Sequence, residues 1–193
     1  MKSKLEGVVM GRVSQQQAEE NRRRVVETAA RLFREKGTHL SVADLMKASG
    51  LTHGGFYKQF ASKDALIDEA TTHAFAELAQ LHAAGLERHA GQRDEARQAL
   101  IDNYLSVEHR DNPADGCPAA ALAADMAREP ADSEARRVYV EGVGDFAKAL
   151  ADEEHDGLVR LSTMIGALVL SRATKGSSLS EEVLVAAREE LTG

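Results

Sequence analysis

Residues 41–60 read SVADLMKASGLTHGGFYKQF, and they contain the most informative pattern in the chain. Ser41 can cap the start of a helix, and Asp44 three residues later favours the first turn of that helix. The helix is short and ends near Gly50, and Thr52 is the next capping candidate, for a second short helix. Two short helices joined by a turn that contains glycine have the spacing of a helix-turn-helix motif.

The second helix of such a motif enters the major groove of DNA. Its outward side chains here suit that contact, because Thr52 and His53 can hydrogen-bond base edges while Tyr57 and Lys58 can reach phosphate oxygens. Gly54 leaves bare backbone that lets DNA approach closely. The apolar residues of the stretch are expected to pack inward on the preceding helix: Val42, Leu45, Leu51 and Phe56 against Val26 and Phe33.

Spacing alone leaves a second interpretation open, namely that the two helices have no role in DNA binding, because many helical proteins contain short helices joined by glycine. Lys63, at the start of the following helix, adds a charge beside backbone amides that suit a phosphate.

Helical patterns continue on both sides of this stretch. Apolar residues recur at helical spacing from Ala18 to Lys36, and Gly37 stops that helix. Further helices are predicted over 63–88, 93–110, 118–128, 133–151 and 158–172, with a last short one from Ser180. Alanine occurs 32 times against 14 valines and 3 isoleucines, which favours helix over strand. The fold class is therefore all-α, with about nine helices.

The charge of the chain is divided unevenly along its length. The formal net charge of −7 taken alone argues against a nucleic-acid binder. Residues 1–64, however, hold 12 basic and 7 acidic side chains, whereas residues 65–193 hold 12 basic and 24 acidic ones. This asymmetry predicts a basic module that meets an anion, joined to an acidic body that does not.

The same division gives the predicted organisation. Residues 1–17 lack apolar periodicity and are expected to form a mobile arm, residues 18–64 a helix-turn-helix DNA-binding domain, and residues 65–193 a separate helical body.

The motif then shows a family resemblance. Residues 50–66, GLTHGGFYKQFASKDAL, resemble the signature of TetR-type transcriptional regulators, and residues 29–37 and 41–45 match the first two helices of that family. The resemblance covers about residues 20–68 closely and the remainder only in length and helical layout. His53, Gly55 and Gln59 stand where the family often has other residues, so the operator sequence does not follow from it.

The resemblance implies a homodimeric, ligand-responsive repressor, in which residues 65–193 form the effector-binding and dimerisation domain. Such a protein binds a pseudo-palindromic operator on double-stranded DNA and is released by a small-molecule or electrophile inducer. Tyr57 and Lys63 would contact the DNA backbone, and Thr52, His53 and Gly54 would lie at the groove. The full set expected to bind DNA is Ser41, Thr52, His53, Gly54, Tyr57, Lys58 and Lys63.

An apolar stripe near the carboxyl end resembles the two-helix dimer face of the family. The residues expected at the interface are Leu158, Leu161, Ile165, Leu168, Val169 and Leu184. The competing interpretation is that this stripe packs on the core of its own chain.

Cys117 is the remaining residue of chemical interest. It precedes a helix at Gly116-Cys117-Pro118, where backbone amides lower the pKa of a thiol, so a redox or effector-sensing role is one hypothesis. Packing as a small buried apolar residue is the other. A helical enzyme or adaptor that uses Cys117, without a specific DNA site, stays the alternative function, although the phosphate-binding loops and nucleophile motifs of common enzymes are missing.

No cofactor or metal site is expected, although Glu69, His73, His82 and His89 share helical faces. A single cysteine excludes an intramolecular disulfide framework, and the apolar runs are too short to span a membrane. We therefore expect a cytoplasmic protein without a membrane partner.

Overall fold

The computed structural model describes the backbone of residues 2–192 and the side chains of residues 15–192. This part of the chain forms ten α-helices and one 3₁₀ helix, and it contains no β-strand. The all-α fold is confirmed. In chain order the helices are α1 (Lys2–Lys36), α2 (Val42–Ala48), the 3₁₀ helix (His53–Lys58), α3 (Lys63–Arg88), α4 (Arg93–Tyr104), α5 (Val107–Asp111), α6 (Pro118–Ala121), α7 (Ala123–Met126), α8 (Glu134–Leu150), α9 (Leu158–Ala173) and α10 (Leu179–Thr192).

Serine caps begin three of these helices where the sequence predicted them. The side chains of Ser41, Ser62 and Ser133 each accept a hydrogen bond from the backbone N–H three residues further on, at 3.2, 3.0 and 3.2 Å. Each cap satisfies one of the amides that a helix start leaves without a partner. Gly37 ends α1 with a φ of +83°, a left-handed conformation that favours glycine.

Two predicted helices are each divided in two. The helix expected over 93–110 breaks at Leu105, because Ser106 accepts a hydrogen bond from the N–H of His109 at 3.1 Å and starts α5. The segment expected from 118 to 128 forms α6 and α7, which meet at Leu122. These divisions account for the larger number of helices.

The start of α1 differs from the expected arm. Met1 lies outside the described residues, and the backbone from Lys2 to Gln17 is helical and continuous with the packed part of α1. Glutamine, alanine and glutamate from Gln15 to Glu20 are good helix formers, so a helix can continue there without an apolar stripe. A helical backbone does not contradict mobility, so the mobile arm expected over residues 1–17 stays a prediction.

Two clusters of buried side chains form the core. The first joins α1, α2, the 3₁₀ helix and the first half of α3, and it also contains Leu122, Met126 and Ala135 from later in the chain. The second lies among α4, α8, α9 and α10. The first core therefore crosses residue 64, and the helix-turn-helix rests directly on the remainder of the molecule.

Polar contacts reinforce this junction. Arg31 of α1 forms an ion pair with Asp115, in the turn before α6. Arg34 Nη1 lies 2.9 Å from Glu77 Oε2 of α3. The N–H of Thr38 also donates to Asp125 Oδ2 of α7 at 3.0 Å.

Helix α9 is apolar on more than one side. Leu161 and Leu168 are buried in the second core, whereas Leu158 and Val169 point outward. Neither α9 nor any other helix within residues 2–192 combines the length and the apolarity required to cross a membrane.

Candidate nucleic-acid interface and internal cavity

The turn between α2 and the 3₁₀ helix is tight and well bonded. Gly50 has a φ of +70°, and the N–H of Leu51 donates to the carbonyl of Met46 at 2.9 Å. The buried Ser49 hydroxyl donates to the carbonyl of Leu45 at 2.8 Å. These bonds fix the direction in which the 3₁₀ helix leaves the turn.

The 3₁₀ helix has one buried and one exposed side. Phe56 is buried, and the ring of Phe60 stacks on it with centroids 5.4 Å apart. Aromatic burial at these two positions anchors the helix. The exposed side carries the predicted groove residues, namely Thr52, His53, Gly54, Tyr57 and Lys58.

Tyr57 is held in place although it is 67% exposed. Its ring meets the edges of two neighbours, Phe56 at 5.1 Å and His53 at 6.3 Å between centroids. Within residues 15–192 its hydroxyl makes no hydrogen bond, and the hydroxyl of Thr52 does not cap the 3₁₀ helix. Both groups are therefore available to an external partner.

Unpaired positive charge surrounds this exposed side. In the described part of the chain, Lys47, Lys58 and Lys63 have no carboxylate within 4 Å, although many other cations do. Ser41 is also exposed, but its hydroxyl already donates to Asp44 Oδ2 at 2.6 Å and accepts from the Asp44 N–H. Its side chain is thus used as a helix cap.

Arg22 supports the site and was missed by sequence reasoning. Its guanidinium donates to the carbonyl of Gln59 and pairs with Glu69 of α3, while lying 4.4 Å from the centroid of the Phe60 ring. It thereby ties the end of the 3₁₀ helix to α1 and α3. The run of three arginines at 22–24 was a visible signal, but only charge was inferred from it.

A second feature is a cavity of about 1070 Å³ behind α3. Its wall is formed by α3, α4, the end of α8 and the turn before α6, with Arg34 contributed by α1. This volume is at the upper end of ligand sites, which run from about 300 to 1,000 Å³. Tyr104, His109, Cys117 and Phe146 all line it.

The polar contacts beside Cys117 fix the state of His109. His109 Nδ1 lies 2.8 Å from the carbonyl of Tyr104, and His109 Nε2 lies 3.2 Å from the backbone N of Cys117. Nδ1 must therefore donate and Nε2 accept, which requires a neutral imidazole. Burial lowers the pKa of His109 and so favours that state.

Cys117 itself does not have the expected activated thiol. It is buried, and burial raises the pKa of its thiol above the ordinary value, although the Tyr104 hydroxyl and the amides of Ala119 and Ala120 oppose the shift. The amides at the start of α6 do lower this pKa, as predicted, but desolvation by burial outweighs them, because α6 has only four residues.

The predicted dimer residues fall into two groups. Leu161, Leu168 and Leu184 are buried within the chain itself and cannot reach a partner. Ile165 is partly buried. Leu158 and Val169 are 51% and 45% exposed, and Val159, Leu170 and Val185, which were not predicted, are exposed as well. The helical stripe was correct in period, but half of it faces the core.

Metal-ligating side chains do not converge among the described residues, where no group of three or more His, Cys, Asp or Glu is suitably placed. His73 Nε2 lies 3.4 Å from Glu77 Oε1, and Glu77 also forms an ion pair with Arg34. These residues therefore belong to the junction between α1 and α3.

Comparison with known proteins places the motif in a family. Residues 25–70 match the family model described as bacterial regulatory proteins, tetR family. An HTH-type transcriptional regulator of Mycobacterium tuberculosis is 29% identical over 180 residues, which cover 80% of this chain and 85% of that protein. The HTH-type transcriptional regulator AcrR of Shigella flexneri is 36% identical over 61 residues, 31% of this chain and 28% of AcrR.

A solved structure extends the likeness to the body. A transcriptional regulator of the TetR family from Agrobacterium tumefaciens superposes with a TM-score of 0.72, covering 91% of this chain and all of that one at 18% identity. At that identity the match concerns the fold.

Proposed function

Because the chain belongs to the TetR family of bacterial regulatory proteins, we propose that it represses transcription as a homodimer on a pseudo-palindromic operator. It is a DNA-binding transcriptional regulator. The observation that carries the proposal is the exposed side of the 3₁₀ helix, where Thr52, His53 and Tyr57 have no competing intramolecular hydrogen bonds within the described residues.

Contacts to DNA divide into positioning and readout. Tyr57, Lys58 and Lys63 bind phosphates and fix the register of the protein. Thr52 and His53 contact base edges, and Gly54 allows the backbone to approach the groove. Ser41 contributes as the cap that orients α2. Residues 18–64 form the DNA-binding unit, and residues 65–193 bind the effector and the second copy.

Dimerisation uses the outward side of α9 and α10. Leu158, Val159 and Val169 give α9 an apolar surface, and Val185 extends it on α10. A twofold dimer on a palindromic site must hold its two DNA-contacting helices about 34 Å apart, which is one turn of DNA. The inner sides of α9 and α10 are anchored in the second core, so their outer sides are suited to set that distance.

A small molecule in the cavity would change the distance between the two DNA-contacting helices of the dimer. The cavity touches the DNA-binding unit directly, because Arg34 lines it and because Asp115, also in its wall, pairs with Arg31 of α1. A ligand that fits one arrangement of this wall better than the other shifts the equilibrium between them. Equal affinity for both arrangements would shift nothing, however tight the binding.

Non-covalent binding is better supported than electrophile attack. The thiol of Cys117 is buried and its pKa is raised, so little thiolate exists at neutral pH. The same burial leaves the alternative function, an enzyme or adaptor that uses Cys117, without an accessible nucleophile.

The test measures binding to the DNA that flanks the protein's own gene across a salt series. We expect a sequence-dependent complex whose log K falls linearly with log salt concentration. Lys63→Met should weaken binding to all sequences and reduce the salt slope by about one. Thr52→Ala and His53→Ala should change the preference among operators, and Lys148→Met, on α8, is the control that should change neither.

Two results would contradict the proposal. If the protein bound all DNA sequences equally well, it would not be a site-specific regulator. Identical effects of the Lys63, Thr52 and His53 substitutions would contradict the division between positioning and readout.

A further inference from the structure

The cavity behind α3 is long and largely apolar. It follows α4 over its whole length, and Arg93 and Tyr104, the first and last residues of that helix, both line it. They are separated by about 16 Å along the helix axis, at 1.5 Å per residue. Leu81 faces this space and is 61% exposed, so its apolar surface has no cover within the chain. The shape suits a slender ligand with an apolar middle.

The charge of the lining is opposite to that of the body. Residues 65–193 hold twice as many acidic as basic side chains. The cavity lining instead contains five arginine or lysine residues and only two carboxylates, Glu77 and Asp115. Among residues 15–192, Arg88 and Arg93 are the two lining cations without a carboxylate within 4 Å, since the other three are paired.

Arg88 and Arg93 lie on either side of one tight turn, at one end of the cavity. Arg88 folds back along α3, where its Nε donates to the carbonyl of Ala84 at 3.3 Å. Its Nη2 lies 3.9 Å from the position that a Cβ on Gly85 would occupy, and Ala84 and Gly85 both line the cavity. The guanidinium therefore lies beside the cavity mouth, where it is also exposed to solvent.

Deeper in the cavity, two lining side chains have polar atoms without protein partners of good geometry. Tyr104 is buried and lines the cavity, yet its hydroxyl makes no hydrogen bond of good geometry within the described residues, and its polar neighbour is the weakly bonding thiol of Cys117. Nε2 of His82, another lining residue, is also buried without a partner. Both rings lie near Phe146, with centroids at 5.9 and 4.6 Å. Buried polar atoms without partners are rare, and each one calls for an explanation such as a missing ligand.

We infer that the cavity binds a linear organic carboxylate that carries an oxygen atom at its far end. The carboxylate lies at Arg88 and Arg93, the chain covers Leu81 and passes His82, and the far oxygen bonds to Tyr104. The inference rests on the proposed function in that this ligand is the effector.

Calorimetry with matched probes tests the assignment, using dodecanoate, dodecanol, dodecylammonium and the ω-hydroxy acid of the same chain length, all below micelle-forming concentrations. We expect dodecanoate to bind at least about tenfold more tightly than the alcohol or the amine, and the hydroxy acid to bind more tightly than dodecanoate. Equal binding of alcohol and carboxylate, or no binding of either acid, would overturn the inference. A hydroxy acid no tighter than dodecanoate would overturn its far-end part.

Variants locate the two ends. Replacing Arg88 and Arg93 together with Gln should weaken carboxylate binding about tenfold, whereas Arg137→Gln, on α8 outside the lining, should not. Tyr104→Phe should abolish the advantage of the hydroxy acid while leaving dodecanoate binding and the thermal midpoint unchanged. An Arg88/Arg93 variant with wild-type affinity would contradict the site.

Binding to operator DNA is measured on the same samples without ligand. A protein that binds DNA specifically but no carboxylate refutes only this inference. A protein that binds the hydroxy acid but not DNA refutes the proposed function and leaves the cavity assignment intact.

Discussion

A substitution at Gly54 should affect DNA binding without lowering the stability of the free protein. A Cβ built on Gly54 meets no atom within 4 Å, and its φ is not in the left-handed region. Gly54→Ala should therefore leave the free energy of unfolding unchanged or raise it by about 0.5–1 kcal/mol. If DNA approaches this backbone closely, the added methyl group should weaken operator binding by about 1–3 kcal/mol.

Urea unfolding and operator titration measure the two quantities. Gly50→Ala is the matched control, because the φ of +70° makes alanine strained there. It should cost about 1 kcal/mol of stability while the folded fraction still binds DNA. Unchanged DNA affinity of the Gly54 variant would place the groove contact elsewhere.

Cys117 should react slowly with alkylating reagents. Its thiol is buried and its pKa is raised, so iodoacetamide should modify it far more slowly at pH 7.5 than it modifies free cysteine. The rate should increase with pH to values above the ordinary thiol pKa, and unfolding in urea should abolish the protection. Mass spectrometry follows the reaction, and modification as fast as that of free cysteine would restore the sensor hypothesis.

The exposed side of the 3₁₀ helix, which is expected to contact DNA, could be predicted from the sequence, because apolar Phe56 and polar neighbours such as Thr52 and Tyr57 lie on different sides of it. Arg22 could not, since its partners Gln59 and Glu69 are 37 and 47 residues away along the chain. The state of Cys117 was also beyond local reasoning, because its pKa depends on how deeply the fold buries it.

Helix boundaries were predictable wherever a serine cap or a left-handed glycine marks them, as at Ser62 and Gly37. The break at Leu105 was missed because the helical pattern continues across it, and only Ser106 signals a new start. The stripe on α9 shows another limit of periodicity. A helix that is apolar on two sides does not reveal from its sequence which side faces its own core.

The two sides of α9 should respond differently to substitution. Val169→Glu adds a charge to the exposed side and should convert dimers to monomers with little change in helix content. Leu168→Ala removes buried volume and should lower the free energy of unfolding by about 2–5 kcal/mol. Sedimentation velocity and urea unfolding distinguish the two effects. A Val169→Glu variant that remains dimeric would show that another surface forms the interface.

The free energy of unfolding should decrease as the pH of the solution is lowered. Burial lowers the pKa of His82 and of His109 below the unfolded value, so the stability that their neutral forms contribute is present above about pH 6.5 and is lost as the pH falls. Arg160 likewise holds the pKa of Asp152 below its usual range, so that contribution is lost at still lower pH.

Urea midpoints from pH 8 to pH 5 measure this dependence. We expect a plateau above pH 7 and a decline below about pH 6.5. His82→Leu should make the decline shallower, and His39→Gln, at an exposed position, is the control. Increasing stability between pH 6.5 and pH 5 would contradict the neutral state of the two buried histidines.

The core shared across residue 64 limits how such regulators can be recombined. Leu122, Met126 and Ala135 pack in the same cluster as Phe33 and Phe56, so a chimera cut at residue 64 would join two incomplete halves of one hydrophobic core. To give this body a new operator specificity, only the exposed residues of the 3₁₀ helix should be transplanted. The alternative is to move α6 and α7 together with the DNA-binding unit, residues 18–64.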